Sequence, residues 1–213
     1  ESDPVSIFGG IVALNEGVDL ELAKLLNAIF LEIVIAPSFS EGALEILQAK
    51  KNIRLIRMKE FSESRSTTGK DVLNGKLLQE VDGKGPLNLK VVSKRKPTEK
   101  EMADLEFAWK CVKNVDSNAI VLAKDEETLA LGHGEVRRIW SVEKAIARSV
   151  KPVDGSVMAS DAFFFEDSVE ACAAAGISAI IQPGGSIHDS KVIELCDTYN
   201  IALVMSGVRH FKH

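Results

Sequence analysis

The sequence predicts an α/β protein in which helices cover both faces of a sheet with mixed or parallel strands. Short apolar segments alternate along the chain with helical patterns of about 10–16 residues. Hydrophobic residues make up 46% and charged residues 27% of the 213 residues, which is typical of a globular chain with a sizeable core. The length corresponds to roughly 1.4 domains of ordinary size. We therefore expect one large domain, or one domain and part of another.

The amino-terminal part begins with a predicted helix, a strand and a second helix. Leucines recur through residues 19–30 at helical spacing, which predicts an amphipathic helix. Residues 32–36 are mostly apolar and are followed by Pro37, which is typical of a buried strand and its end. Ser40 has the position of an N-cap, because its hydroxyl can accept a hydrogen bond from the first turn of a helix whose apolar face continues to Leu47.

A further strand and a long connection follow. Residues 53–58 alternate apolar and basic side chains, which favours a strand with one exposed face. Residues 59–90 are rich in Ser, Thr, Gly and Lys, and so long a connection is uncommon unless it is functional or flexible. We expect this segment to contain one short hairpin.

The carboxyl-terminal part repeats the alternation of helix and strand. Thr98 and Glu101 have the spacing of a capping box, which predicts a helix to about residue 115. Ser186 and Asp189 have the same spacing and predict the start of a last helix that ends at Tyr199. Gly176 is the glycine expected directly after a helix. The other predicted elements are helices at residues 142–150 and 167–175 and strands at residues 118–123, 128–131, 178–182 and 201–206.

The charge is unevenly distributed along an acidic chain. The net charge is −5, yet residues 51–100 contain 13 Lys and Arg against 6 Asp and Glu. A basic segment of this kind can meet nucleic acid or a small polyanion, although a solvated surface is the commoner explanation. Aromatic residues make up 6% of the chain and do not alternate with this segment, so we expect no nucleic-acid partner. The apolar runs are too short to cross a bilayer, so we expect no membrane partner.

The cysteines indicate a reducing compartment. Cys111, Cys172 and Cys196 are odd in number and form no Cys-x-x-Cys pair, which disfavours a disulfide framework and a zinc site of cysteine pairs. The chain also lacks the His-x-Glu and Pro-Cys-x-x-Cys ligands of zinc deaminases. We therefore expect buried, reduced thiols in a cytoplasmic protein that requires no metal.

Two glycine-containing turns are candidate anion sites. Gln182 ends a predicted strand, and the Pro-Gly-Gly-Ser segment of residues 183–186 leads into a helix, so backbone N–H groups and the helix dipole can attract an anion there. A tight turn with Ser186 as N-cap explains the same residues equally well. Arg138 follows a Gly-His-Gly segment, and its guanidinium can bind a carboxylate or a phosphate in a bidentate manner. The alternative for Arg138 is a solvated helix start.

A run of three phenylalanines, residues 163–165, precedes two carboxylates. The rings can line a pocket for a flat heterocycle, or they can pack in the core. Glu166 and Asp167 can accept hydrogen bonds from ring nitrogens, or they can stabilise the start of the next helix. The basic tail that begins at Arg209 follows an apolar strand without a linker, which favours a docked tail over a frayed one.

Six motifs in one order carry a family resemblance that extends over the whole chain. Together they resemble the AICAR transformylase domain of the bifunctional enzymes of purine biosynthesis. The motifs are Asp3-Pro-Val-Ser-Ile-Phe-Gly-Gly10, Ile35-Ala-Pro-Ser-Phe39, Ser117-Asn-Ala-Ile-Val121, Ser160-Asp-Ala-Phe-Phe164, Ile181-Gln-Pro-Gly-Gly-Ser-Ile187 and Gly207-Val-Arg-His-Phe-Lys-His213.

The resemblance implies an activity and a fold. The family transfers the formyl group of 10-formyltetrahydrofolate to the 5-amino group of AICAR, which gives FAICAR and tetrahydrofolate. Its domain consists of two cytidine-deaminase-like subdomains, each a three-layer αβα arrangement with a mixed sheet and no zinc. The active site forms at a homodimer interface. On this basis residues 1–95 are the carboxyl-terminal part of the first subdomain, and residues 96–213 are the second subdomain.

The resemblance also implies roles for individual residues. Asn118 and His213 match catalytic positions. Four positions match residues that bind AICAR, namely Phe8, Gly9, Glu32 and Arg209, the last of which matches an arginine that holds the nucleotide phosphate. Six further positions match the folate side of the site, namely Arg138, Phe163, Asp167, Pro183, Gly185 and Ser186.

The chain departs from the family pattern at three points. A catalytic Lys-His pair lies upstream of the first motif in the family, and neither this pair nor an IMP cyclohydrolase domain occurs in the 213 residues. Glu135 replaces a family glutamine, and the phenylalanine run lacks a proline, which loosens the alignment of Asp167. We therefore expect the 213-residue chain to be inactive by itself. The alternative function is a nucleotide- or folate-binding fragment without catalysis.

Overall fold

The computed structural model describes residues 5–59, 67–83 and 88–212. Contacts between Cα atoms group the chain into two compact units, with the division between Val81 and Asp82. The boundary expected from the sequence lies near residue 95. The two positions differ because the short strand Lys90–Val91 pairs with the last strand of the second unit.

The first unit contains a parallel sheet and the helices that connect its strands. Side chains of Asp19 and Ser40 accept hydrogen bonds from Leu22 N at 2.8 Å and Ala43 N at 3.2 Å, so the predicted Ser40 cap is confirmed. In the described residues the sheet has three strands, with the order β1 (Gly10–Ala13), β2 (Leu31–Ala36) and β3 (Arg54–Arg57), and the connecting helices are α1 (Leu20–Asn27) and α2 (Glu41–Gln48).

The long connection contains the expected hairpin. Strand β4 (Thr67–Val72) pairs in antiparallel register with β5 (Gly75–Glu80). Every residue of both strands is exposed, so the hairpin buries no side chain of its own.

The second unit is built on a mixed sheet, which confirms the predicted α/β class. The order in the described residues is β6 (Lys90–Val91), β11 (Ala202–Met205), β10 (Ala179–Gln182), β9 (Val157–Ser160), β7 (Ile120–Lys124) and β8 (Glu127–Gly132). Strands β9, β10 and β11 are parallel, and the other pairings are antiparallel. Strand β9 is absent from the predicted elements because its Val-Met-Ala-Ser run is only four residues long and contains a single β-branched residue.

Two hydrophobic clusters place helices on opposite faces of this sheet. Ile120 and Leu122 of β7 pack in one cluster and Val121 in the other, as the period of two in a strand requires. The helix α3 (Glu99–Val112) covers one face, and the helices on the other face are α4 (Arg138–Arg148), α5 (Glu166–Ala174) and α6 (Asp189–Thr198).

The helix ends test the predicted caps. Thr98 Oγ1 accepts from Glu101 N at 3.2 Å and Glu101 Oε2 accepts from Thr98 N at 2.8 Å, which confirms the capping box. The capping box predicted for Ser186 is wrong, because α6 begins at Asp189 and its N-cap is His188. Ser186 Oγ instead accepts from His188 N at 3.1 Å. Gly176 follows α5 with a φ of +75°, as expected for a residue after a helix.

The structure excludes two kinds of feature in the part of the chain that it describes. No described helix has the length and apolarity needed to cross a membrane. Among the same residues, no three His, Cys, Asp or Glu side chains lie together in a group that could hold a metal ion.

The three cysteines are free thiols of unequal exposure. Cys172 and Cys196 are buried, whereas Cys111 is only partly buried, which corrects the expectation that all three are buried. Burial raises the pKa of Cys196 to about 12 and raises the pKa of Cys172 further above its ordinary value. Burial also raises the pKa of Cys111, where Lys110 opposes it. The thiolate is the reactive form, so burial and the raised pKa values protect these residues together.

We expect iodoacetamide at about pH 8 to modify Cys111 slowly in the folded chain, and Cys172 and Cys196 only after unfolding in urea. The order follows from the accessibility and thiolate content of each sulfur. Peptide mass spectrometry of samples quenched over time measures it. Equal modification rates for Cys111 and Cys172 in the folded chain would contradict the burial order.

Candidate functional site

A cleft of about 820 Å³ opens at one edge of the second unit's sheet. The register pairs Ile120 with both Gly132 and Ser160, so the start of β7 and the carboxyl ends of β8 and β9 lie at this same edge. Such an edge is the usual ligand position of open α/β sheets. The lining residues are Asn118, Val136, Arg137, Arg138, Ile139, Ala162, Phe163, Phe165, Glu166, Asp167, Arg209 and Phe211.

Arg138 is almost completely buried at the wall of the cleft. Its side chain is 8% exposed and forms an ion pair with Asp161, whose side chain is 0% exposed. Arg138 Nη1 also donates to Ser160 Oγ at 2.9 Å, and Nη2 donates to Asn118 Oδ1 at 2.9 Å. A buried guanidinium of this kind needs a paired carboxylate, because an isolated charge is costly to remove from water. Arg138 is therefore not a solvated residue at a helix start, and the carboxylate that it binds belongs to the chain itself.

The amide of Asn118 is held in one orientation by its two partners. Arg138 can only donate, so it selects Oδ1, while Nδ2 donates to the carbonyl oxygen of Glu135 at 2.8 Å. Asn118 lines the cleft, and no hydrogen bond within the described residues uses the second N–H of its amide. Ser141 Oγ donates to the Asn118 carbonyl at 2.8 Å, which ties the backbone of Asn118 to α4.

The three consecutive phenylalanines have three different environments. Phe163 lies half-buried in the cleft wall beneath Arg209, whose guanidinium carbon is 5.0 Å from the ring centroid. Phe165 lines the cleft and is exposed, and its ring meets that of Phe163 edge-on at 5.5 Å between centroids. Phe164 is 0% exposed and packs in the core. Phe163 and Phe165 therefore line the cleft, and Phe164 belongs to the core.

The acidic residues at the start of α5 also face cations. Asp167 Oδ2 lies 3.8 Å from Arg137 Nη2. Glu166 Oε1 lies 3.6 Å from both His188 Nδ1 and Lys191 Nζ. The backbone N–H of Glu166 itself lowers the pKa of its carboxyl, burial opposes this effect, and the nearby Lys191 and His188 side chains lower the pKa further. The cleft thus combines an aromatic wall with alternating charges.

The glycine turn at residues 183–186 lies outside the cleft lining. Gly185 N donates to Asp189 Oδ2 at 2.8 Å, so this N–H is already satisfied by the chain. A side chain at Gly184 would begin 2.7 Å from Met205 Sδ, which explains the need for glycine there. The carbonyl of Gly185 contacts Arg209 Nη2 at 3.5 Å, so the turn supports the arginine that enters the cleft.

The residues that match the AICAR side lie in different places. Phe8, Gly9 and Glu32 lie together in the first unit: Gly9 N donates to Phe30 O at 3.0 Å, and Phe8 stacks on Phe30 with 4.7 Å between centroids. A side chain at Gly9 would begin 3.8 Å from Glu32 Oε1. Arg209 lies in the second unit beside the residues that match the folate side. His213 lies outside the described residues.

The basic tail is docked on the second unit through residue 212. Lys212 O accepts from Ser117 N at 2.9 Å, directly beside Asn118. His210 N donates to Asp161 O at 2.9 Å, directly beside Arg209. These bonds explain how the terminal segment supplies lining residues to the cleft.

Ser160 and Asp161 contact Arg138 at the site, and they are not among the site residues predicted from the sequence. Both belong to a motif that carries the family resemblance, but no role was assigned to them. The signal in the sequence that could have indicated Asp161 is a carboxylate directly after an apolar segment. The signal is weak because strand β9, with the sequence Val-Met-Ala-Ser, is short and contains a single β-branched residue.

Comparisons with known proteins identify the family. The model of the AICARFT/IMPCHase bienzyme family matches residues 1–148. The chain is 56% identical over 216 residues to the bifunctional purine biosynthesis protein PurH of Caldicellulosiruptor bescii, and 52% identical over 217 residues to that of a Bacillus cereus strain. In both comparisons all of this chain is covered, and it spans 42% of the length of the relative. A dCMP deaminase of the cyanophage S-TIM5 has 15% identity and a TM-score of 0.37 over 50% of this chain and 97% of its own, a likeness too low to carry an argument. The chain belongs to the AICARFT/IMPCHase bienzyme family.

Proposed function

We propose that this chain supplies the folate-binding wall and part of the catalytic centre of an AICAR transformylase in purine biosynthesis. One observation carries the proposal. Asn118, Arg138, Phe163, Asp167 and Arg209 lie far apart in the sequence, yet all of them line the same cleft. Aromatic walls with a few convergent polar groups are typical of sites for flat heterocyclic ligands. The finer assignment rests on the family and on this convergence.

The proposed reaction moves a formyl group between two nitrogen atoms. The bond from N10 of 10-formyltetrahydrofolate to the formyl carbon breaks, and a bond from that carbon to the 5-amino nitrogen of AICAR forms. The amine loses a proton, and N10 gains one. The carbonyl oxygen carries negative charge in the tetrahedral intermediate, so a fixed N–H donor lowers the barrier. The remaining amide N–H of Asn118 fits this role because both other polar contacts of the amide are occupied.

The folate side of the proposed site consists of rings and paired charges. Phe163 offers a face to a flat ring, and Asp167 offers acceptor oxygens for ring N–H groups. Arg138 uses three of its N–H groups within the described residues, which leaves others for the cosubstrate. We propose that Pro183, Gly185 and Ser186 complete this side.

The AICAR side is proposed to contain a phosphate contact at Arg209, which is exposed and held over Phe163. We further propose that Phe8, Gly9 and Glu32 contact AICAR, and that His213 takes part in catalysis. The same proposal includes cytidine-deaminase-like subdomains with a boundary near residue 95. It also includes a homodimer with the active site at its interface, and a cytoplasmic location. No metal is proposed.

We test the function with the full-length protein and with the 213-residue chain. Calorimetric titration with AICAR and with a folate analogue measures binding, and an assay of tetrahydrofolate release measures formyl transfer. Binding of both ligands with turnover by the full-length protein supports the proposal. Binding by the full-length protein without turnover would favour the non-catalytic alternative, and absence of folate binding would refute the proposal.

We expect Arg209→Ala in the full-length protein to weaken AICAR binding by about 10- to 100-fold, because a charge-assisted hydrogen bond contributes about 1.5–3 kcal/mol. Calorimetry measures the change. Arg148→Ala is the matched control, since it removes the same charge from an exposed position near the end of α4, away from the cleft. An equal loss of affinity in both variants would show that net charge, rather than a contact at Arg209, sets the binding.

A further inference from the structure

We propose that Asp161 is a positioning residue for formyl transfer and that it acts on Asn118 through Arg138. The inference rests on the proposed function and deepens it. Asp161 does not line the cleft, and its side chain is fully buried. It therefore has no contact with a ligand in the cleft and influences the reaction only through its partners.

The contacts form a chain from the buried carboxylate to the cleft. Asp161 Oδ1 pairs with Arg138 Nη1. Arg138 Nη2 then donates to Asn118 Oδ1 at 2.9 Å. Each link is selective, because a carboxylate only accepts and a guanidinium only donates. The position of the carboxylate thus decides which way the guanidinium faces, and the guanidinium decides which atom of the Asn118 amide faces it.

The orientation of Asn118 depends on this selection. Rotation of the amide by about 180° would exchange Oδ1 and Nδ2, and would bring the amide oxygen against the carbonyl of Glu135. The donor available to the cleft would then move. Arg138 opposes this rotation only while its own position is held, and within the described residues Asp161 is the carboxylate that pairs with it.

A substitution at Asp161 separates side-chain effects from backbone effects. The backbone N–H of Asp161 donates to Ala119 O at 3.2 Å, and its carbonyl accepts from His210 N at 2.9 Å. These bonds link the backbone of residue 161 to Ala119, next to Asn118, and to His210, next to Arg209. They do not involve the carboxylate. Asp161→Asn keeps them and keeps the side-chain volume, while it removes the charge that orients Arg138.

The test is a double-mutant cycle in the full-length protein with Asp161→Asn, Arg138→Gln and the double variant. We expect Asp161→Asn to lower kcat for formyl transfer by about 10- to 100-fold, with KM for AICAR changed by less than about threefold, because a misplaced catalytic group costs rate rather than ground-state binding. We expect the double variant to be no slower than Arg138→Gln alone, since both changes break one chain of contacts.

A matched control separates positioning from loss of stability. Arg95 and Glu101 form another largely buried ion pair in the second unit, with 2.5 Å between Nη2 and Oε1, and neither residue lines the cleft. Glu101→Gln is expected to lower the melting temperature and leave kcat of the folded enzyme unchanged. Asp161→Asn is expected to lower kcat even where the enzyme is fully folded.

A milder variant keeps the proposal testable if Asp161→Asn does not fold. Ser160→Ala removes the 2.9 Å hydrogen bond from Arg138 Nη1 and the 2.7 Å bond that Ser160 Oγ donates to Ala162 O, and it retains the carboxylate. We expect a smaller loss of kcat with KM unchanged. Three results would overturn the positioning role. The first is a wild-type kcat in folded Asp161→Asn, and the second is a wild-type kcat in Ser160→Ala if Asp161→Asn does not fold. The third is a double variant whose loss of kcat equals the product of the two single losses. Absence of formyl transfer by the unchanged full-length protein would instead overturn the proposed function, and the role of Asp161 with it.

Discussion

Replacement of Arg138 by Met is expected to lower the free energy of unfolding of the second unit by about 3–5 kcal/mol, because it leaves a buried carboxylate without its partner. Asp161 has no other ion-pair partner among the described residues, and its Oδ2 atom accepts no hydrogen bond there. Urea unfolding followed by tryptophan fluorescence measures the change. Both tryptophans of the chain, Trp109 and Trp140, belong to the second unit, so the signal reports this unit.

A surface pair provides the control for this result. Lys100 and Asp125 form an ion pair with both side chains more than half exposed. Lys100→Met is expected to change the free energy of unfolding by less than about 1 kcal/mol, because exposed pairs contribute little. The double variant Arg138→Met/Asp161→Val is expected to be more stable than Arg138→Met alone, since it leaves no buried charge. Equal effects of Arg138→Met and Lys100→Met would contradict the burial of the pair.

Replacement of Phe164 by Ala is also expected to cost about 3–5 kcal/mol of stability, since it opens a cavity in the core. Phe164 is fully buried among residues of β7, β9 and the helices of one face. Phe165→Ala, next in the chain, is expected to cost less than about 1 kcal/mol, because that ring is exposed. The same urea experiment compares the two variants, and a similar loss for both would show that the run is core throughout.

Phe163→Ala is the third member of this series, and its expected effect is on binding. The ring lies in the cleft wall under Arg209. We expect Phe163→Ala to lower the free energy of unfolding much less than Phe164→Ala does. We also expect it to bind a folate analogue about 10-fold more weakly in calorimetry, since a ring contact contributes on the order of 1 kcal/mol or more. Unchanged folate affinity would remove Phe163 from the proposed site.

Local patterns predicted the elements whose stability is local. The capping box of Thr98 and Glu101 and the glycine after α5 depend on residues within a few positions of each other, so the sequence contains all the partners. Strand β9 was not predicted, because four residues with one β-branched side chain give too weak a local signal for a strand. The capping box predicted for Ser186 is wrong, because Asp189 satisfies Gly185 N and the helix begins at Asp189.

The candidate site shows the same division. The motifs around Asn118, Arg138 and Phe163 were identified in the sequence, and the structure brings all three to one cleft. The burial of Arg138 was not predictable from its neighbours, since its carboxylate lies 23 positions away and reaches it only through the register of β7, β8 and β9. A sequence pattern does not contain that register.

The sequence by itself determined the α/β class, most of the helices and strands, and the family. Periodicity, helix caps and ordered motifs each depend on residues that lie close together in the sequence. The tertiary structure alone decided which phenylalanine is core and which is cleft wall, that Arg138 is a buried partner of Asp161, and that Gly185 N is already occupied. These properties depend on burial and on pairs of charges brought together across the sheet, and such contacts exist only after the chain has folded.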